Sequence, residues 1–307
     1  MKTIMVPLDG SELAERALDP ALRLAARHEA TVLLAAIVSD LPPVPLASLG
    51  REASRKWFED EEKRAADYLE GVRVSAASRH PGVEIRMQVE MGSVARGLRA
   101  VAADAGVELV ALTTHGRGAW KRAWLGSVAD NLVRGARRPL LLLRHGDESV
   151  RLFMDEGSPT HVLVPLDSSS QSEAVLGPLT SLLGNRGRVT LITVVEDPFP
   201  LASSYLPHAI EGEAVAERQR EQAAEHLRQV ADQWNPLGVE VETKVVSGND
   251  VAGTILDYSE KEGVDLLAFS TRGRGGVERL VLGSIADKLV RGSHLPMLTV
   301  RRGGEEN

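Results

Sequence analysis

Cysteine is absent from this sequence of 307 residues, which excludes disulfide bonds and thiolate metal sites and fits a reducing compartment. Long apolar runs are missing too, since segments such as residues 140–143 fall far short of the roughly 18 residues that span a bilayer. We expect no signal peptide, because Lys2 is followed at once by the strand-like residues 3–6. We therefore expect a cytoplasmic protein without a membrane partner.

Basic residues are fewer than acidic residues in this sequence. The formal net charge is −7, which argues against nucleic acid as a partner, because binding to phosphates requires a net basic surface. The shares of hydrophobic residues (43%) and charged residues (26%) are typical of folded globular proteins. The length favours two domains, since single cores stop growing efficiently at about 250 to 300 residues.

Motifs of ordinary enzymes are also missing. The sequence contains no Gly-Lys-Ser/Thr phosphate loop and no Gly-x-Ser-x-Gly nucleophile elbow, and its only His-Glu pair, at residues 28–29, lacks the second histidine of a zinc protease. We expect no catalytic residue and no metal site formed by the protein alone. The isolated histidines are expected at the surface, namely His80, His145, His161, His208 and His294.

An internal repeat organises the chain. The segment LGSVADNLVRG at residues 125–135 recurs as LGSIADKLVRG at residues 282–292, with two of eleven positions changed. Residues 6–9 likewise recur as 164–167, and the Gly-Arg-Gly segment at residues 116–118 recurs unchanged at residues 273–275. Such self-similarity predicts two copies of one domain. We place the first domain at residues 1–147, a linker at 148–160 and the second domain at 161–303.

Each copy alternates short β-branched runs with helical patterns, which indicates an α/β fold with a parallel sheet and crossover helices. In the first copy we expect strands near residues 3–7, 31–37, 83–89, 109–113 and 140–143, and one helix over residues 11–28. A second, longer helix is expected to bury a stripe of apolar side chains. Its members are Leu69 and Val72 in the first copy and Leu227, Val230 and Trp234 in the second.

A glycine loop follows the fourth strand of each copy. Gly116 and Gly273 come directly after that strand, and after nine intervening residues a Gly-Ser pair opens a helix. Backbone N–H groups and a helix N-terminus in this arrangement bind phosphate well. The alternative is that the glycines only form a tight turn and the serine only caps the helix.

These motifs carry a resemblance to a known family. Residues 114–118 (THGRG), residues 125–130 (LGSVAD) and residues 6–11 (VPLDGS) are similar to the signature of the universal stress protein family. The resemblance covers both copies. It implies two tandem five-stranded parallel-sheet domains of the Rossmann-like, adenine nucleotide alpha hydrolase-like type. It also implies ATP, with Mg²⁺, at the carboxyl ends of the first and fourth strands, where open α/β sheets generally bind ligands.

The same resemblance implies a set of nucleotide contacts in each copy. In the first copy these are Leu8, Asp9, Ile37, Leu112, Thr113, Gly116, Arg117, Gly126, Ser127 and Val128. In the second copy they are Leu166, Asp167, Val194, Phe269, Ser270, Gly273, Arg274, Gly283, Ser284 and Ile285. Alternatives remain open, since Asp9 with Glu12 also fits a helix cap. The apolar members of the set also fit simple core packing.

The sequence departs from the family pattern at one glycine of each copy, which is replaced by Thr113 and Ser270. If that position needs a positive φ or close approach by the ribose, threonine is a poor substitute and serine a milder one. If only its backbone N–H is used, both are acceptable. We expect the second copy to bind nucleotide better, because serine is smaller.

The sequence thus predicts a tandem universal stress protein that binds ATP or a related adenine nucleotide and acts as a sensor or regulator in a stress response. Hydrolysis should be slow at most, because His115 in the first loop is replaced by Arg272 in the second and no candidate base is shared. The alternative is a nucleotide-free protein that acts through an unidentified regulatory protein partner. We also expect an intramolecular pseudo-twofold pair formed through the last strand of each copy, with a further homodimer left open.

Overall fold

The computed structural model of the chain describes residues 1–40, 51–114, 127–135, 137–144, 159–183, 187–196, 206–236, 238–271 and 282–301. The chain divides into two compact units, unit 1 (Met1–Gly157) and unit 2 (Ser158–Asn307). Most of the predicted linker, residues 148–160, lies outside the described residues.

Unit 1 is an α/β domain with a parallel sheet. Its elements are β1 (Thr3–Pro7), α1 (Glu12–Glu15), α2 (Leu18–His28), β2 (Thr31–Val38), α3 (Arg51–Arg79), β3 (Ile85–Met91), α4 (Val94–Asp104), β4 (Leu109–Thr114), α5 (Ser127–Gly135) and β5 (Leu140–Arg144). The strand order is β3-β2-β1-β4-β5, and each neighbouring pair is parallel. The predicted fold class is therefore confirmed, and the predicted strands match within two residues at each end.

Unit 2 repeats this plan. Its elements are β6 (His161–Pro165), a 3₁₀ turn (Ser172–Val175), α6 (Leu176–Leu182), β7 (Arg188–Val195), α7 (Leu206–Gln233), β8 (Glu240–Ser247), α8 (Val251–Lys261), β9 (Leu266–Ser270), α9 (Ser284–Gly292) and β10 (Met297–Val300). The strand order β8-β7-β6-β9-β10 is again all parallel. The central strands β6 and β9 are almost fully buried, whereas the edge strand β8 is only partly covered.

The strand order creates a switch point in each sheet. In unit 2 the chain leaves β6 toward β7 and β8, then returns to the other side of β6 to form β9 and β10. Because such crossovers are right-handed, α6 and α7 lie on one face of the sheet and α8 and α9 on the other. A crevice therefore opens at the carboxyl ends of β6 and β9, the usual place for a ligand in this class of sheet.

The expected single helix over residues 11–28 is wrong, because unit 1 forms two helices there, α1 and α2, separated at Arg16 and Ala17. Pro20 explains the interruption, since it has no N–H to donate to the carbonyl of Arg16 four residues earlier. Pro178 occupies the same place in unit 2, where the 3₁₀ turn precedes α6. Within the described ranges, no helix is both long and apolar enough to cross a membrane.

Candidate functional site

A cavity of about 1000 Å³ opens at the carboxyl edge of the sheet in unit 2. Its volume lies at the upper end of the range for small-molecule sites. The predicted contact residues that line it are Leu166, Asp167, Val194, Phe269, Ser270, Gly283, Ser284 and Ile285. The remaining two predicted contacts of this copy, Gly273 and Arg274, lie outside the described residues. The predicted set of unit 2 thus lines one cavity at the switch point wherever it is described.

The predicted residues of unit 1 occupy the matching places. Leu8 and Asp9 follow β1, Ile37 lies near the end of β2, and Leu112 and Thr113 lie in β4. Ser127 and Val128 begin α5. The other predicted contacts, Gly116, Arg117 and Gly126, lie outside the described residues. Ile37 packs closely on Gly97 of α4, where an added Cβ would come within 2.9 Å of its Cδ1, so part of its role is core packing.

Each unit fixes an aspartate in the turn after its first strand. In unit 1, Asp9 Oδ1 accepts hydrogen bonds from the backbone N (3.0 Å) and Oγ (2.6 Å) of Ser11. In unit 2, Asp167 Oδ1 accepts from the backbone N (3.1 Å) and Oγ (2.5 Å) of Ser169. The carboxylate is therefore held in one orientation at the mouth of the crevice.

The alternative that Asp9 caps the helix is wrong, because this turn places another residue at the cap. Ser11 is the N-cap of α1, and its Oγ accepts from the backbone N of Ala14 at 3.2 Å. Asp9 orients the cap and does not form it. The same turn contains a left-handed residue, Gly10 (φ +83) in unit 1 and Ser168 (φ +62) in unit 2. A serine in that conformation carries a local strain of about 1 kcal/mol, and Ser168 lines the cavity.

The replaced family glycine does not require a left-handed backbone in this chain. Among the described residues, the non-glycine positions with positive φ are Glu29 and Ser168, so Thr113 and Ser270 both have ordinary conformations. Their hydroxyls differ. Thr113 Oγ1 donates to the carbonyl of Leu13 in α1. Ser270 Oγ is buried and has no hydrogen-bond partner among the described residues.

The N-terminus of α9 borders the cavity without a side-chain cap. Gly283 is the N-cap with φ −59 and ψ 147, and Ser284 is the first helical residue and does not act as the cap. Among the described residues, a Cβ on Gly283 would meet the Thr271 carbonyl oxygen, at 3.5 Å, which is ordinary contact. Neither the backbone conformation nor packing against the described residues therefore requires glycine here, and no side chain of that part of the chain caps the first N–H groups of α9.

Three polar residues of α7 also line the cavity, and the sequence argument above did not single them out: Gln219, Gln222 and His226. His226 Nε2 is buried without a hydrogen-bond partner in the described part of the chain, and Glu173 Oε1 lies 3.5 Å from it. The shared pattern of residues 65–69 (AADYL) and 223–227 (AAEHL) aligns His226 with Tyr68. Comparing the two copies along these helices would have revealed the difference.

Tyr68 completes its hydrogen bonding within unit 1. Its hydroxyl donates to Glu15 Oε1 at 2.8 Å. Burial, reinforced by the hydrogen bond to Glu15, raises the pKa of the Tyr68 hydroxyl well above its ordinary value. The tyrosine therefore stays protonated and keeps its bond to the carboxylate over the physiological range.

Comparison with known proteins agrees with the repeat and the fold. Residues 1–144 and 159–301 each match the model of the universal stress protein family. A universal stress protein of Methanocaldococcus jannaschii is 30% identical over 47% of this chain and 84% of its own. One from Mycolicibacterium smegmatis is 25% identical over 97% of this chain and 96% of its own. The crystal structure of a universal stress protein from Archaeoglobus fulgidus shares the fold, with a TM-score of 0.66 and 18% identity over 99% of this chain and 97% of that one.

Proposed function

Because this chain belongs to the universal stress protein family, we propose that it binds ATP or a related adenine nucleotide and acts as a nucleotide-dependent regulator in a stress response. The observation that carries the proposal is the cavity of unit 2, which lies at the switch point and ends at the uncapped N-terminus of α9. A helix N-terminus of this kind suits the phosphates of a nucleotide.

The remaining walls fit the rest of an adenine nucleotide. Val194 and Phe269 supply apolar surface for a ring, and the fixed carboxylate of Asp167 can accept a hydrogen bond from a ribose hydroxyl. Mg²⁺ would arrive with the phosphates, since among the described residues no group of three or more His, Asp or Glu side chains is gathered to hold an ion. We propose that any hydrolysis is slow, because no general base is common to both copies.

Unit 2 is the proposed main site. Its Ser270 hydroxyl lies in the cavity wall and has no hydrogen-bond partner in the part of unit 2 that the structure describes, whereas the Thr113 hydroxyl in unit 1 donates to the Leu13 carbonyl. A ligand can therefore gain a hydrogen bond in unit 2 that unit 1 already makes internally.

The first experiment is to identify what the purified chain carries. Protein prepared without added nucleotide is denatured, and the released small molecules are analysed by mass spectrometry. An adenine nucleotide in substantial yield supports the proposal. If nothing is released and titration calorimetry with ATP gives no heat, the chain is a nucleotide-free protein that acts through a protein partner.

Substitutions at Gly283 test the phosphate site. Gly283→Val should weaken ATP binding at least about tenfold and also cost α9 about 1 kcal/mol, since valine is a poor N-cap. Gly283→Ser separates the two effects, because serine caps the helix well and stabilises it by a few tenths of a kcal/mol at most, yet its hydroxyl occupies the N–H groups.

The control for these variants is Gly177→Val, since Gly177 is exposed in α6 and an added Cβ there meets nothing within 4 Å. ATP affinity is measured by calorimetry and stability by thermal unfolding. A Gly283→Ser protein that is folded and binds ATP as tightly as the unaltered chain would contradict the phosphate assignment. Adding Gly126→Val then reports whether unit 1 contributes any binding.

A further inference from the structure

The polar wall of the unit 2 cavity is built by one face of α7. Gln219, Gln222 and His226 are three and four residues apart, a spacing that places side chains on the same side of a helix. Gln219 and Gln222 are exposed and line the cavity. His226 Nε2 is buried without a hydrogen-bond partner among the described residues and lies 3.5 Å from Glu173 Oε1. The row therefore presents two amides and an imidazole to whatever occupies the cavity.

The opposite wall is apolar. Val251 and Ile255 of α8 and Leu289 of α9 line the cavity from the other face of the sheet. A flat ring between the two walls can bury its faces against aliphatic surface and direct its polar edge toward α7. The phosphate end of the ligand is assigned to α9 at Gly283, so the base is the part that reaches α7.

In unit 1 the side chains at the matching positions contact other side chains of the same unit. The positions that match Gln219 and Gln222 are Glu61 and Arg64, and Arg64 Nη1 pairs with Glu61 Oε1 at 2.5 Å. The position that matches His226 is Tyr68, which donates to Glu15. At the first two positions unit 1 pairs its side chains with each other, whereas Gln219 and Gln222 of unit 2 line the cavity. At the third position both units keep a carboxylate partner, since Glu173, which matches Glu15, lies 3.5 Å from His226 Nε2.

We propose that Gln222, supported by His226, reads the base of the nucleotide in unit 2 and selects adenine over guanine; this inference rests on the proposed function. A glutamine amide carries a donor and an acceptor side by side and matches the N6 amino group and N7 of adenine in a bidentate pair. Guanine presents two acceptors, O6 and N7, on the same edge, which match an arginine better than an amide.

The test measures the ratio of ATP affinity to GTP affinity in the full chain by calorimetry. The unaltered chain should prefer ATP by roughly tenfold, as a bidentate base contact allows. Gln222→Ala should reduce the ratio toward one. Gln222→Arg introduces the residue type found in unit 1, and because unit 2 has no glutamate at position 219 to pair with it, the preference should move toward GTP.

His226 is tested with nucleoside and phosphate probes taken separately. His226→Phe keeps the ring size and removes the polar atoms, so affinity for adenosine and for ATP should fall by the same factor, roughly fivefold. Affinity for inorganic triphosphate should not change. A loss seen only with the phosphate-containing ligands would overturn the base-reading role and assign His226 to the phosphates.

The matched control is Gln229→Ala, since Gln229 is an exposed residue of the same helix that does not line the cavity, and its Nε2 donates to Glu225 Oε1 at 3.0 Å. This variant should keep the unaltered ATP to GTP ratio. If the unaltered chain binds neither adenosine, ATP nor GTP, the proposed function itself fails. If it binds ATP but the ratio is the same in Gln222→Ala, Gln222→Arg and the control, the proposed function stands and the base-reading inference is wrong.

Discussion

Thr113 and Ser270 show how two side chains in equivalent places reach different states. Both lie near the end of the fourth strand of their sheets, and both have ordinary backbone conformations. Thr113 ties β4 to α1 through the Leu13 carbonyl, whereas the buried Ser270 hydroxyl has no partner in the described part of unit 2. A buried hydroxyl without a partner costs about 1 to 3 kcal/mol.

Ser270→Ala should therefore stabilise ligand-free unit 2 by about 1 kcal/mol, because it removes a buried polar group that gains nothing in return. The same change should weaken ATP binding if the ligand uses the hydroxyl. Urea unfolding of nucleotide-free protein and ATP calorimetry measure the two effects.

The companion variant is Thr113→Val in unit 1. It removes the hydroxyl that donates to the Leu13 carbonyl, so that the carbonyl loses this hydrogen bond. Unit 1 should be destabilised by about 1 kcal/mol. Stability changes of the same sign in both variants would show that the two hydroxyls are equivalent.

The site could be located from the sequence, but the state of its hydroxyls could not. The Val-Pro-Leu-Asp and Leu-Gly-Ser segments carry the resemblance to the family, and that resemblance implied Asp167, Gly283 and their neighbours as contacts. The partners of Thr113 and Ser270 depend on where α1 and the 3₁₀ turn lie in space, and sequence spacing does not carry that information. The row on α7 differs between the two copies in sequence, but its place at the cavity depends on how the helix packs on the sheet.

Among the elements, the strands were the most predictable and the first helix the least. Buried parallel strands are continuous apolar runs, and β2 and β9 follow that rule. The periodicity of residues 11–28 predicts one helix, but the missing N–H of Pro20 divides it into α1 and α2. Pro20 can be read from the sequence, and its position inside the predicted helix indicates the interruption.

The amino end of β6 is held by a carboxylate and a buried histidine. Asp265 Oδ2 accepts from the backbone N atoms of Thr160 (3.0 Å) and His161 (2.9 Å), which joins the start of β6 to the start of β9. The surface position expected for His161 is wrong, since only 5% of the residue is exposed. Its Nε2 lies 2.9 Å from Thr190 Oγ1, and its Nδ1 lies 3.1 Å from Arg188 Nη2.

Acid should destabilise unit 2 through His161. Burial and the nearby Arg188 lower the pKa of its imidazole below the ordinary value of 6.5, and the opposing influence of Asp265 and Glu242 is smaller. The unfolded chain therefore binds the proton at a higher pH than the folded chain does. Protonation of His161 does not affect stability above pH 6.5, and it lowers the free energy of unfolding as the pH falls below 6.5. Urea unfolding at several pH values between neutrality and the lowered pKa measures the loss.

The control for the pH experiment is His161→Thr, which introduces the residue found at the matching position of unit 1, Thr3. The absolute stability of this variant can differ because the contacts of the ring are lost. Its pH dependence in the same interval should be smaller than that of the unaltered chain. An unchanged slope would assign the acid sensitivity to another group.

At the scale of the whole molecule, the chain carries two units with one strand order and different side chains along the matching helix row. Unit 1 pairs Glu61 with Arg64 and Tyr68 with Glu15, while unit 2 has the amides of Gln219 and Gln222 and a histidine beside Glu173. Duplication allows such a division, because one copy can keep a ligand site while the other replaces the ligand contacts by internal ones.

The pairing of the two units through β5 and β10 stays a prediction. It rests on the apolar character of both strands and on the rule that an open apolar edge invites another strand. Leu142→Asp should then increase hydrogen exchange not only in β5 but also in β10, measured by mass spectrometry of peptides. Faster exchange confined to peptides of unit 1 would show that the two sheets do not depend on each other.

Within the described residues of unit 2, Ser270 Oγ and His226 Nε2 are buried without hydrogen-bond partners, which has a consequence for the lifetime of the protein. On the proposed function, a nucleotide that binds only folded unit 2 and supplies those partners stabilises it by an amount that grows with nucleotide concentration. Proteases cut chains during transient opening, and the population of the open form follows that stability. The turnover of the protein would then follow the nucleotide pool, so that abundance itself carries the signal.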